Sequence, residues 1–331
     1  MRAGTIVPMT RRAAFLFAAL GLAWGIPYLL IKIAGEELPP ATLVLARTTV
    51  AAVILVPIAV IRHEVGPALR RWRPLLAYTV AEIILPWLFL ARAEHTLPSS
   101  TSGLLTAAVP LVGIVVAAVS GRAERLGGRG WLGLGLGTVG VAALVGLDIG
   151  GSDLFAVAEM SVVVVGYAVG PAVLSRWLSD VSGLGVVAVS IGAAALVYVP
   201  FVLFGPGLPT RPPSGRVIAS VIVLAVVCTA GAFLLFFALI AELGPVRATT
   251  IVYVNPVVAV VAGAVVLRER VTAWTVLGFA LVLAGSFLVT RRTPMSARPA
   301  SSAPRPADSD AASDGLIGTG VAAGATRRPR G

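Results

Sequence analysis

The chain has 331 residues, of which 57% are hydrophobic and only 12% are charged. A soluble domain carries about 25% charged residues, so this composition excludes an ordinary soluble protein and indicates an integral membrane protein. The formal net charge of +11 does not indicate nucleic-acid binding, because the arginines sit between long apolar runs, where they orient helices in a membrane.

Apolar runs long enough to cross a bilayer, which takes about 20 residues per helix, follow one another along the chain. They are apolar on every face, unlike the alternating strands of a membrane barrel. The first run reaches Ile31 and is too long for a signal peptide. The sequence therefore predicts an all-α membrane fold with ten transmembrane helices, near residues 13–33, 41–61, 74–92, 98–120, 131–148, 154–175, 182–204, 217–240, 248–267 and 272–290.

Positive charges predict the orientation of these helices, because cytoplasmic segments near the membrane are enriched in Lys and Arg. With ten spans, both termini lie on one side. If that side is the cytoplasm, the inside segments hold fourteen arginines and the outside loops six basic residues, a bias that is strong in the first half and absent in the second. We therefore predict that both termini are cytoplasmic.

The composition changes after the last apolar run. Residues 293–331 are rich in Pro, Ser, Ala and Asp and cannot bury a core. They are predicted to form a disordered cytoplasmic tail.

An internal repeat is visible in two stretches, "ERLGGRGWLGLGLGTVGVAAL" (124–144) and "ERVTAWTVLGFALVLAGSFLV" (269–289), which align without gaps. Because the charged Glu-Arg pair aligns in register with the matching Leu and Gly residues, a chance match between the two stretches is improbable. The repeat divides the chain into five-helix halves, 11–148 and 153–290. Because five is odd, the second half must enter the membrane from the opposite side, as in the inverted repeats of secondary transporters.

Three segments resemble the EamA-type transporters of the drug/metabolite transporter superfamily. "LAWGIPYLLIKIAGEELPPATLVLAR" (22–47) looks like their first helix pair, "TSGLLTAAVPLVGIVVAAVSGRAERL" (101–126) like the fourth helix and its acidic loop, and residues 232–272 like the eighth and ninth helices. Two features depart from the family pattern. "GRAER" and "LRER" lack the usual Gly before Glu, and the third helix carries Glu82, an acid that the family usually lacks there.

The resemblance implies a secondary transporter, often an exporter, of small metabolites or amino-acid-like compounds, in the bacterial inner membrane. Its implied partners are the lipid bilayer, a small-molecule substrate and, as a possible coupling ion, the proton; a homodimer is left open. A non-transporting scaffold or accessory subunit is the alternative, and a membrane-embedded lipid or prenyl transferase is a weaker one.

Ionisable residues inside membrane helices are rare and indicate functional sites. Arg47, Glu82 and Glu159 lie within predicted spans, and Lys32 ends the first. Glu82 is the strongest candidate, since its depth leaves no easy route to water. We expect its carboxylate to bind a proton or to pair with a cationic substrate group. Arg47 and Glu159 are open to structural roles, and Lys32 can extend toward the headgroups.

Prolines inside the spans predict interruptions of the helices, since each removes the hydrogen bond to the carbonyl four residues earlier. Such breaks are tolerated where protein or a water-lined cavity satisfies the freed groups. The predicted helix breaks are at Pro27, Pro86, Pro110, Pro171 and Pro256.

Aromatic and amide side chains lie close to these prolines and are candidates for lining a substrate cavity together with Glu82. For any one of them, a place in the core or at the membrane interface is the simpler interpretation. The cavity candidates are Trp24, Tyr28, Trp87, Tyr167, Tyr253 and Asn255.

Signals for catalysis are weak. "GLGLGTVG" (133–140) predicts a helix-packing face, and no Walker Lys-Ser/Thr follows it. The chain has one cysteine, Cys228, and two histidines, both in predicted loops. We therefore predict no enzyme activity, no catalytic residue, no metal site and no cofactor.

Overall fold

The structure is a computed structural model that describes residues 10–121, 128–144, 154–205, 208–209 and 211–290. The predicted tail at 293–331 and the first copy of the Glu-Arg pair, at Glu124 and Arg125, lie outside the described residues.

All regular elements of the described residues are helical, which confirms the all-α class. They are α1 (Arg11–Gly25), α2 (Pro27–Ala34), α3 (Pro40–Ile61), α4 (Val65–Arg70), α5 (Trp72–Tyr78), a first π turn (Thr79–Ile84), α6 (Leu85–Ala93), α7 (Ser99–Thr106), α8 (Val109–Val119), α9 (Gly128–Ala143), α10 (Leu154–Trp177), α11 (Gly183–Phe204), α12 (Gly215–Ala225), a second π turn (Val226–Gly231), α13 (Ala232–Leu243), α14 (Pro245–Ala248), a 3₁₀ segment (Thr249–Tyr253), α15 (Asn255–Val266) and α16 (Ala273–Thr290).

Seven helical stretches in the described part are long and apolar enough to cross a membrane. They are Arg11–Ala34, Pro40–Ile61, Trp72–Ala93, Ser99–Val119, Leu154–Trp177, Gly183–Phe204 and Gly215–Leu243. Two shorter apolar helices, Thr250–Val266 and Ala273–Leu288, follow. The protein is thus a helical membrane protein, and the count of ten spans stays a prediction.

Local sequence explains where several helices begin. Thr10 accepts a hydrogen bond from the backbone N–H of Ala13, and Ser214 does the same for Val217. These hydroxyls satisfy N–H groups that the first turn of a helix leaves without partners. Pro40 occupies the first turn of α3, where its missing N–H costs nothing.

The glycine-rich face of α9 packs against α16, which confirms the predicted packing role. A Cβ added to Gly140 would strike the carbonyl of Gly278, and one added to Gly285 would strike the backbone of Gly133 and Gly137. Because Gly140 meets Gly278 while Gly133 meets Gly285, the two helices run antiparallel.

Two π turns interrupt long spans at related positions. The first begins at Thr79 in the span Trp72–Ala93 and the second at Val226 in the span Gly215–Leu243, 147 residues later. This separation is close to the offset of the sequence repeat. A π turn inserts one extra residue into a helix, and such turns occur often at functional sites.

The prolines act differently from one another. Pro27 and Pro110 lie at the start of α2 and α8 after short breaks, Pro86 follows the first π turn, and Pro256 follows the 3₁₀ segment. Pro171 lies inside α10, which continues on both sides of it, so no helix ends there. A single proline removes one hydrogen bond, and α10 is long enough to retain its helical path.

Candidate functional site

Arg47 lies at the junction of three elements: α3, α6 and the second π turn. Its side chain is buried, with 7% of the residue exposed. Its Nε donates a hydrogen bond of 2.8 Å to Oγ1 of Thr229, and its Cζ lies 3.6 Å from the centroid of the Trp87 ring. Stacking and hydrogen bonding together fix the plane of the guanidinium group.

Within the described part of the chain, the positive charge of Arg47 has no ion-pair partner. No carboxylate of the described residues forms an ion pair with it, and the hydrogen bond to Thr229 engages only Nε. A buried cation without a counter-ion is costly. The terminal Nη groups of Arg47 are therefore available to an anion that enters the site.

Thr229 is held by the second π turn itself. Its hydroxyl donates to the carbonyl of Leu224, five residues earlier, at 2.8 Å, and accepts from Arg47. The hydroxyl proton is thereby directed away from Arg47, so that the oxygen presents a lone pair to Nε.

Two tyrosines predicted to line the cavity lie near this group. The Tyr28 hydroxyl lies 2.9 Å from Oγ1 of Thr106. Tyr167, on α10, lies near Tyr28 and Arg47. The structure therefore brings the predicted residues Arg47 and Trp87 into direct contact and places Tyr28 and Tyr167 near Arg47.

Glu82 lies within the first π turn, where its Oε2 is buried and has no hydrogen-bond partner among the described residues. The side chain packs against Gly170 of α10 so closely that a Cβ at that position would strike the carboxylate. Gly170 thus leaves room for the carboxylate of Glu82 between the first π turn and α10.

Trp24 lies in a different cluster. Its ring contacts Phe233 at a centroid distance of 5.9 Å and Phe236 at 5.0 Å. It belongs to an apolar group formed by α1 and α13. Its surroundings fit a packing role.

Tyr253 and Asn255 lie around the start of α15. The Tyr253 hydroxyl donates to the carbonyl of Ser286 at 3.2 Å. The Oδ1 of Asn255 is buried without a hydrogen-bond partner among the described residues. Gly25 of α1 leaves space for the Asn255 carbonyl, so α1 and α15 touch at this point.

Glu94 lies just beyond the predicted span 74–92, so its sequence position gives no signal that it is buried. Only 1% of it is exposed, and neither carboxylate oxygen has a partner among the described residues. Lys32 donates from Nζ to the backbone carbonyls of Glu94 and Leu97 instead. Burial raises the pKa of Glu94 well above its ordinary value, although nearby Lys32 opposes this.

Glu269, in the second copy of the Glu-Arg pair, has a structural task that the sequence did not reveal. Its carboxylate accepts hydrogen bonds from the N–H groups of Ser99, at 2.7 Å, and Ser100, at 2.9 Å. It thus caps α7 from a distant loop. Partial burial acts to raise the pKa of Glu269, but these hydrogen bonds outweigh it and hold the pKa below the ordinary value.

Glu159 is buried in α10 and pairs with Arg92 at 2.6 Å. This pair joins α10 to α6. No group of three or more His, Cys, Asp or Glu residues in the described part could hold a metal ion.

Comparison with known proteins agrees with this architecture. The chain is 28% identical over 275 residues to the inner membrane transporter YedA of Escherichia coli strain K12, a protein described as uncharacterized; the alignment covers 80% of this chain and 88% of YedA. The YedA proteins of strains CFT073 and O157:H7 match equally well. A crystal structure of another protein superposes with a TM-score of 0.61 at 21% identity, covering 84% of this chain and 97% of the other, and shows a shared fold. The EamA-like transporter family matches twice, over residues 11–146 and 154–291, and the chain therefore belongs to this family of membrane transporters.

Proposed function

We propose that this protein is a secondary transporter of small organic anions, amino-acid-like compounds among them, and that Arg47 binds the anionic group of the substrate. The observation that carries the proposal is the buried guanidinium of Arg47, which no carboxylate of the described residues neutralises. Export is the proposed direction, and it rests on the family resemblance.

Arginine suits this task better than lysine. Its guanidinium is planar, stays charged and presents paired N–H donors that match a carboxylate or phosphate. Here Trp87 holds one face of the plane and Thr229 holds Nε. The remaining Nη edge can accept an anion in one orientation, while Tyr28 and Tyr167 provide hydroxyl and aromatic surfaces nearby.

Alternating access by two inverted halves is the proposed mechanism. Two reciprocal contacts support it. Gly133 and Gly140 of α9 correspond in the repeat to Gly278 and Gly285 of α16, and the observed contacts are Gly140 with Gly278 and Gly133 with Gly285. A two-fold axis that relates antiparallel helices produces this exchange. The matching π turns are consistent with the same symmetry.

Protons are the proposed coupling ion. Both Glu82 and Glu94 have buried carboxylate oxygens without hydrogen-bond partners among the described residues. Removal from water disfavours the charged form of a carboxylate, so each can accept a proton as the site changes its access. Glu94 lies in electrostatic reach of Arg47.

The proposed location is the bacterial inner membrane with both termini in the cytoplasm. Reporter fusions after Arg73 and after Arg292 test this orientation, and both should report cytoplasm. A cytoplasmic signal after Arg73 together with a periplasmic signal after Arg292 would reject the ten-span count.

Flux in proteoliposomes tests the function itself. Purified protein should exchange labelled small carboxylates or phosphorylated metabolites across the bilayer, at a rate that saturates with concentration. Protein-free vesicles set the background. A well-folded protein that exchanges no member of such a panel would contradict the proposal and favour a scaffold.

A further inference from the structure

A lateral groove of about 660 Å³ runs between the span Trp72–Ala93 and α10. Its walls include Leu76, Ala81 and Leu85 on one side and Val165 and Gly166 on the other. Three of these side chains are strongly exposed: Leu76 at 52%, Leu85 at 39% and Val165 at 47%. In a protein that spans a membrane, such a surface faces the lipid.

The depth of the groove comes from small residues. Gly166 lies so close to the carbonyl of Ala81 and the ring of Pro86 that a Cβ there would strike both. The helices therefore meet closely at Gly166, which lines the groove together with the small residues Ala77 and Ala81. Bulkier residues at these positions would fill it.

The length of the groove matches one leaflet of a bilayer. It extends along the helix from Arg73 to Leu85, a stretch that rises about 17 Å at about 1.5 Å per residue once the extra residue of the π turn is allowed for. Half of a bilayer hydrocarbon core is about 15 Å thick. A single acyl chain is the ligand of this length and chemistry.

The mouth of the groove is cationic. Arg73 lies at its end, and no carboxylate of the described residues pairs with it. Arg70 and Arg176 are exposed and likewise have no ion pair within the described part of the chain.

An ion pair next to these arginines joins the ends of two helices. Arg71 binds Asp180 at 2.6 Å, which holds the chain after α10 beside the start of α5. Trp72 and Trp177 are exposed there. Exposed Trp beside Arg is typical of the headgroup level of a membrane.

We infer that this groove binds an anionic phospholipid, with one acyl chain along α5, α6 and α10 and the phosphate at Arg73. These arginines, which have no ion pair among the residues that the structure describes, select an anionic headgroup over a zwitterionic one. The predicted orientation places this end in the cytoplasm, where anionic lipids attract basic segments. The inference concerns a lipid site and does not depend on the proposed transport function.

Occupancy of the groove also affects Glu82. The contact between Ala81 and Gly166 forms part of the groove, and the contact between Glu82 and Gly170 follows one helical turn along α10. A bound acyl chain therefore supports the helix pair that positions this carboxylate.

Native mass spectrometry of the purified full-length protein tests the inference, with dioleoyl phosphatidylglycerol and dioleoyl phosphatidylcholine as probes. The wild-type protein should retain phosphatidylglycerol preferentially. Arg73→Gln should reduce that preference about fivefold. Ala77→Phe should lower retention of both lipids, because Ala77 lines the groove and the larger ring occupies the place of the chain.

Arg211→Gln is the matched control, since it removes an exposed charge outside the groove and should leave lipid retention unchanged. Size-exclusion chromatography checks that each variant is folded. Equal retention of the two lipids by the wild-type protein would overturn the inference. So would well-folded Arg73→Gln and Ala77→Phe proteins that bind phosphatidylglycerol as the wild type does.

Discussion

The Cζ atom of Arg47 lies 3.6 Å from the centroid of the Trp87 ring. This contact joins α3 to α6 and holds a buried cation in a fixed plane. A cation over an aromatic face is stabilised by about 2 kcal/mol when both groups are removed from water, which helps to keep Arg47 charged and oriented.

Replacing Trp87 should weaken substrate binding. In Trp87→Leu the guanidinium loses its stacking partner and samples more orientations. We expect KM for an anionic substrate to rise about three- to thirtyfold, in line with the strength of a cation–π contact. Trp87→Phe should retain part of the effect. Initial rates in proteoliposomes measure both variants; an unchanged KM in Trp87→Leu would show that the stack does not organise the site.

Thr229 should be needed for its hydroxyl rather than for its shape. Thr229→Val keeps the volume but removes the acceptor that Arg47 uses and the donor to Leu224. A hydrogen bond to a charged group contributes about 1.5–3 kcal/mol, so substrate affinity should fall about ten- to a hundredfold. Thr229→Ser should restore it. Titration by intrinsic tryptophan fluorescence compares the three proteins, and equal affinity in Thr229→Val would mean that Nε needs no fixed partner.

Glu82 should control the response of transport to pH. Glu82→Gln keeps the shape of the side chain next to Gly170 but cannot take up a proton. We expect normal membrane insertion and a flux that no longer depends on pH or on a proton gradient. Flux measured from pH 5.5 to 8.5 is the test. An unchanged rate and pH profile would reduce Glu82 to an interhelical packing group.

Glu94 should make the protein less stable as pH rises. Its pKa in the folded protein is raised by burial, so below the ordinary glutamate pKa the group is neutral in both folded and unfolded chains. Between that value and the raised one, the unfolded chain ionises first and the folded state loses relative stability. The Glu94→Gln variant cannot ionise at this position, so its folded state should not lose stability in this way as pH rises.

Thermal unfolding in detergent at several pH values measures the effect. The Tm of Glu94→Gln should exceed that of the wild type at pH 8 and should approach it near pH 4.5. Glu36→Gln is the exposed control and should show no such divergence. A lower Tm for Glu94→Gln at pH 8 would indicate that Glu94 is ionised and paired in the folded protein.

The sequence predicted the class of fold and several members of the site, for physical reasons that can be named. Apolar runs and buried charges are local signals, so the helices and Arg47, Glu82, Tyr28, Trp87 and Tyr167 could be selected before any contact was known. Which of them meet depends on helix packing across the chain. Trp24 and Tyr253 lie in other parts of the structure, away from Arg47, and their proximity to prolines in the sequence could not predict this.

Other features lay beyond sequence reasoning because they depend on distant partners. The cap of α7 by Glu269 spans about 170 residues of sequence. The burial of Glu94 depends on neighbours from other helices, and the acceptor Thr229 looks like any threonine in an apolar helix. The π turn that presents Thr229 leaves no pattern of apolar residues.

The binding of an anion by Arg47 is most directly tested with the variant Arg47→Gln. A thermal-shift panel of small carboxylates and phosphates first identifies a ligand that stabilises the wild-type protein, and counterflow of that ligand is then measured in proteoliposomes. Arg47→Gln should fold but lose both the shift and the counterflow, whereas Arg211→Gln should retain both. Saturable counterflow of the same anion through Arg47→Gln, with the wild-type KM, would contradict the account.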